Sequence, residues 1–128
     1  MNATRLASVC ALFVCVLVSF PSTARPVVAP PFQRLPNGAR QLCSQHVTGT
    51  TMHITWTSYA VREPVAQTRA FYEGMGLRFT AGTDGSATHA PNDQDRLMIY
   101  PANGSYPSCD QRPLPAEQSV IVRSRATR

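Results

Sequence analysis

The sequence predicts an α+β domain: one antiparallel sheet in the order ββαββββ, a single helix packed on one face, and one disulfide. Three observations carry this prediction. Short segments with apolar side chains at every second position recur along the chain, parted by Gly, Asn and Asp turns. Only one segment, around Phe71, has apolar residues at helical spacing. Two cysteines, Cys43 and Cys109, remain once an N-terminal export signal is set aside.

Residues 1–24 read as that signal. A short polar stub with one arginine precedes Leu6 to Val18, an uninterrupted apolar run of 13 residues. A bilayer-spanning helix needs roughly 20 residues, so the run suits a cleaved signal and not an anchor. Pro21 ends it, and Ser22-Thr23-Ala24 offers small residues to a signal peptidase, placing the cut between Ala24 and Arg25. Cys10 and Cys15 follow Val9 and Val14, where a lipid-attachment motif needs a small residue, so both leave with the signal. The mature chain then keeps an even pair of cysteines in an oxidising compartment, which reads as the disulfide Cys43–Cys109.

Residues 25–41 hold four prolines and a Pro-Asn-Gly turn without a periodic apolar face, the pattern of an extended tether. The α+β domain is expected over residues 42–123, followed by a basic tail, 124–128. Leu42 to Thr48 is the first strand, Gly49-Thr50-Thr51 the turn, and Met52 to Ala60 the second. There Met52, Ile54 and Trp56 alternate with His53, Thr55 and Thr57. Pro64 opens the helix, on which Val65, Thr68, Phe71, Tyr72 and Met75 fall within one arc. Gly76 supplies its left-handed end. Leu77 to Ala81, Ser86 to Ala90, Arg96 to Tyr100 and Gln118 to Arg123 complete the strands, with helix and sheet forming two layers.

The chain has a formal net charge of +5 and contains no lysine. The charge is unevenly placed, because residues 41–122 contain five arginines against all seven carboxylates. Positive charge is thus concentrated at the two ends, which implies neither a nucleic-acid-binding groove nor a membrane anchor after processing.

Glu63-Pro64 and Phe71-Tyr72-Glu73-Gly74-Met75-Gly76-Leu77, with the strands around them, resemble one βαβββ module of the glyoxalase/bleomycin-resistance (vicinal oxygen chelate) group over residues 52–100. The resemblance implies a small-molecule-binding protein that pairs two modules, here by dimerisation. Its metal-binding members use a histidine on the first strand, which would be His53, and a glutamate on the last. Arg96 to Tyr100 contains no glutamate, so no metal set is carried over.

The remaining motifs point away from catalysis. His46, His53 and His89 have no zinc-site spacing, and with Thr48 opposite Met52 in the hairpin, His46 and His53 would face opposite ways. Asp84, Asp93 and Asp95 lack the distal glutamate of a calcium loop and read as turn residues. A disulfide removes Cys43 as a nucleophile beside His46. No catalytic residue, metal or cofactor is therefore assigned. Trp56 and Tyr59, on opposite faces of one strand, are the candidate binding surface, since one of them should be exposed. Asn103-Gly104-Ser105 is an acceptor for glycosylation in a eukaryotic host. The expected function is a secreted or periplasmic binding or structural domain with a protein, glycan or small-molecule ligand; the alternative is a single-module glyoxalase-like small-molecule-binding protein.

Overall fold

A computed structural model describes residues 18–20 and 30–128. The predicted signal peptide lies outside the described residues except for 18–20, and so does its cleavage site at Ala24 and Arg25. After a single 3-10 turn at Pro31–Gln33, the elements are β1 (Arg40–Thr48), β2 (His53–Val61), α1 (Val65–Glu73), β3 (Thr80–Ala81), β4 (Ala87–His89), β5 (Asp95–Pro101) and β6 (Ser119–Thr127). Among the described residues this is one antiparallel six-stranded sheet with one helix and one disulfide.

The strands lie in the order β1-β2-β6-β5-β4-β3, so the last strand in sequence is central and separates β2 from β5. Its sequence explains the position. Ser119 to Val122 are buried without interruption, as expected of a strand covered on both faces. Ile121 joins Val61, Tyr72, Leu77, Leu97 and Ile99 beneath the helix, whereas Val120 and Val122 join Leu42, Cys43 and Ala60 on the reverse face.

On the helix side, Pro64 precedes the first helical residue, and its carbonyl accepts from the backbone N–H of Gln67 and Thr68, each at 3.0 Å. Thr68 and Tyr72 are the buried residues of α1. The Thr68 hydroxyl lies 2.9 Å from that of Ser119, which donates to the Glu63 carbonyl at 2.7 Å, fixing the helix start to β6. Gly76 takes φ +94°, the left-handed turn that lets the Leu77 N–H reach back to the Tyr72 carbonyl at 3.2 Å. Leu77 is then core without being strand. The expected strand 77–81 is reduced to Thr80–Ala81, because its first residues close the helix.

The reverse face is covered by the loop between β5 and β6. The Cys43–Cys109 bridge, with Cα atoms 5.7 Å apart, ties that loop to β1. Arg40 reinforces the tie, donating to both Glu117 carboxylate oxygens at 2.6 and 3.3 Å and to the Arg112 carbonyl at 3.1 Å. The Leu114 N–H donates to Glu117 Oε1 at 2.7 Å, so this nearly buried carboxylate also shapes its own loop.

Both ends of the domain extend past the expected limits. Arg40 and Gln41, assigned to the tether, belong to β1, and Phe32, Leu35 and Ala39 pack on the helix-side core. The reason is the buried phenol of Tyr72, which needs an acceptor and finds the Arg34 carbonyl at 2.6 Å. Likewise β6 runs to Thr127 along β2, so residues 124–127 are strand and not tail.

Candidate functional site

Nine-residue strands span about 30 Å and a nine-residue helix about 14 Å, so α1 covers only part of its face. The uncovered part is polar and ordered in rows set by the strand register. Ser44, Thr57 and Arg123 form one row across β1, β2 and β6, which runs into the core at Leu97 of β5; His46, Thr55, Arg125 and Asp95 form the next. Neighbours within the rows bond across the strands. The Ser44 and Thr57 hydroxyls lie 3.1 Å apart, and His46 Nδ1 lies 2.9 Å from Thr55 Oγ1. Arg125 grips both oxygens of Asp95, at 2.8 and 3.3 Å.

Over these rows lies an open groove of about 810 Å³. Thr55, Thr57, Arg123 and Arg125 line its floor, Phe32 and Gln33 one wall, and Pro91 and Asp95 the other. The second wall is shaped by Asn92, whose side-chain carbonyl accepts from the backbone N–H of Gln94 at 2.8 Å and of Asp95 at 2.7 Å. The hydrogen bonds from Arg125 and then from Asn92 hold the Asp95 carboxyl below the usual carboxylate range. Asp95 also raises the Arg125 guanidinium above its ordinary value by the same hydrogen bond.

Arg123 is held differently. Its guanidinium stacks over the Tyr59 ring, 4.9 Å from the centroid, and donates to the Tyr59 hydroxyl at 2.6 Å and to the Gln33 carbonyl at 2.7 Å. None of the chain's carboxylates pairs with it, and all seven lie within the described residues.

Trp56 and Tyr59 do occupy opposite faces. The Tyr59 side chain borders the helix-side core under Arg123, while Trp56 packs with Val122, Met98 and their neighbours on the reverse face. Both are half-buried. Tyr59 therefore acts on the groove through Arg123, and Trp56 borders it between Thr55 and Thr57.

The histidine geometry corrects the expected hairpin. Gly49 to Met52 form the loop, closed by the Gly49 N–H on the Met52 carbonyl at 2.8 Å, and Thr48 stands opposite His53. This one-residue shift moves His53 to the face of His46, where the rings stack at 5.9 Å and 9°. His89 lies elsewhere, between Phe32 and Phe79, with Nδ1 2.7 Å from the Arg78 carbonyl. Among the described residues no three His, Cys, Asp or Glu side chains converge as a metal site. Asp84 accepts from the Ser86 N–H at 3.1 Å and from its hydroxyl, which lowers its carboxyl below the ordinary value. Asn103 is exposed in its loop.

The groove residues Thr55, Thr57, Asp95, Arg123 and Arg125 escaped the sequence reading. Their signal was the alternation of Arg123, Arg125 and Thr127 with Val122, Ser124 and Ala126, which marks a strand with one polar face. No protein-family model, curated protein or solved structure matches this chain.

Proposed function

We propose that the protein is exported, to the periplasm or the cell exterior, and works there as a non-catalytic binding domain whose ligand lies in the groove on the uncovered half of the sheet. The observation that carries this reading is the row arrangement: hydroxyl and guanidinium groups are set side by side on a rigid sheet and left open to solvent. Rigid strands hold polar groups at fixed spacing, which lowers the ordering cost of binding. Export is supported by the disulfide and by the N-terminal pattern of the sequence. A non-catalytic role is supported by two features: Cys43 and Cys109 are joined, and the carboxylates of Asp95 and Glu117 are both ion-paired.

Amide-proton NMR of the exported chain, titrated with a fragment library, tests the reading. Shifts should gather at Thr55, Thr57, Ser124 and Arg125. A library that perturbs only other surfaces overturns it. The glyoxalase-like alternative, a single-module small-molecule-binding protein, predicts instead a dimer with a bound small molecule in native mass spectrometry.

A further inference from the structure

Resting on the groove reading above, we infer that the ligand is an acidic peptide segment, lying along the groove with a carboxylate on Arg123. Two guanidinium groups line the groove against one carboxylate, and that carboxylate is paired with the other arginine: Arg125 takes both Asp95 oxygens, and Asn92 donates to one of them at 3.0 Å. Asp95 makes no ion pair with Arg123. The Arg123 guanidinium has five N–H donors. Among the described residues two are used, on the Tyr59 hydroxyl and the Gln33 carbonyl, both neutral acceptors. Those contacts, with the ring beneath, fix the plane of the guanidinium without neutralising it. A planar cation held still, with spare donors, suits the two oxygens of a carboxylate.

The shape of the groove favours a peptide over a free small acid. Small-molecule sites enclose most of the ligand surface. This groove has a floor and two walls but is open above, so an occupant must gain contact by length. Around Arg123, the Thr55 and Thr57 hydroxyls offer partners for peptide groups, and Phe32 and Pro91 give each wall an apolar patch.

The test compares two probes on the exported chain, acetyl-tetraglutamate amide and acetyl-tetraglutamine amide, by amide-proton NMR and fluorescence anisotropy. The acidic peptide should shift Thr57, Arg123 and Arg125 and bind at least tenfold more tightly than its neutral twin, with the difference shrinking as salt rises. Two variants sharpen the result. Arg123→Gln removes the cation. Thr57→Glu, directly across the strand from Arg123, supplies a carboxylate from within and leaves both apolar cores intact. Each should abolish the preference for glutamate. If Arg123→Gln loosens the turn at Gln33, seen as a lowered melting temperature, Thr57→Glu decides the matter. Equal binding of both peptides in the groove would overturn the acidic ligand and leave the groove reading standing. Glutamate-dependent shifts confined to Arg112 or Arg128 would overturn the acidic ligand as well. If neither peptide nor any fragment moves the groove signals, both readings fall.

Discussion

Replacing Tyr72 by Phe should destabilise the domain at neutral pH and stabilise it, relative to the parent, at high pH. The ring is fully buried in the helix-side core, and Phe keeps that packing. What is lost is the 2.6 Å bond to the Arg34 carbonyl, worth about 1 kcal/mol, or about 4–8 °C in melting temperature for a domain of this size. Burial also pushes the Tyr72 phenol up to about 12, against an opposing effect of the Arg123 charge. The folded state therefore prefers the neutral phenol. This contribution is fully present below pH 10, where the unfolded tyrosine is neutral too, and is lost as pH rises from 10 to 12. Two pH units correspond to about 2–3 kcal/mol, more than the hydrogen bond contributes. The stability curves of parent and variant should thus cross between pH 10 and 12. Urea unfolding of both proteins across that range measures the crossing. Spectrophotometric titration of the four tyrosines should show one ionising near 12, and burial should also raise Tyr100 above its ordinary value. Parallel curves from pH 9 to 12 would refute the assignment.

Glu117→Gln should cost about 1–2 kcal/mol at neutral pH, because it weakens the fork from Arg40 that holds the loop over the reverse face. The Arg40 hydrogen bond, foremost, lowers the Glu117 carboxyl, so its contribution is present above the unfolded carboxylate value and is lost as pH falls through the depressed folded one. The variant should accordingly show a shallower loss of stability in acid, measured by urea unfolding between pH 2 and pH 6. Gly76→Ala should cost about 1–2 kcal/mol by thermal unfolding, since alanine is strained at φ +94° although no atom blocks its Cβ. Expressed with its signal in a secreting host, the protein should have an intact mass beginning at Arg25; a mass retaining Met1 would count against export.

The sequence made the helix and the order of the strands legible because both rest on period. Val65, Thr68 and Tyr72 recur at helical spacing, and Leu97 and Ile99 alternate as a buried strand must. Register was not legible. Whether Thr48 faces Met52 or His53 depends on how the Gly49 N–H closes its loop, a choice of one residue that local composition does not encode. Nor was the extent of the ends. The prolines after Arg25 suggest a tether, but the Arg34 carbonyl is recruited by a tyrosine 38 residues away. The groove was hidden for a related reason. Arg123 and Arg125 read as terminal charge until β6 is seen to lie between β2 and β5, which turns the last residue of the expected domain and a tail residue into the middle of a floor.

That floor makes the disulfide matter beyond global stability. Among the described residues β1 is an edge strand, paired with β2, and its Ser44 and His46 bond to the groove residues Thr57 and Thr55. Its register is interrupted between Gln41 and Cys43, where Leu42 and Cys43 are both buried. Beyond that irregularity the side chains from Ser44 to Thr48 are exposed, so burial there does little to prevent a slip. The Cys43 bridge to Cys109 pins the strand at the junction, from the opposite face of the sheet. Closing a loop of 66 residues contributes about 4 kcal/mol in the chain-entropy account. If the bridge acts only on the unfolded chain, replacing Cys43 and Cys109 by Ala should lower protection against hydrogen exchange evenly across the sheet. If it also holds the register, exchange should rise first at Ser44 to Thr48, while Leu97, Ile99 and Val120 to Val122 stay protected up to the global limit. We expect the second pattern, with the Thr55 and Thr57 amide signals shifting before unfolding begins. Uniform loss of protection would show that β2 alone sets the position of β1.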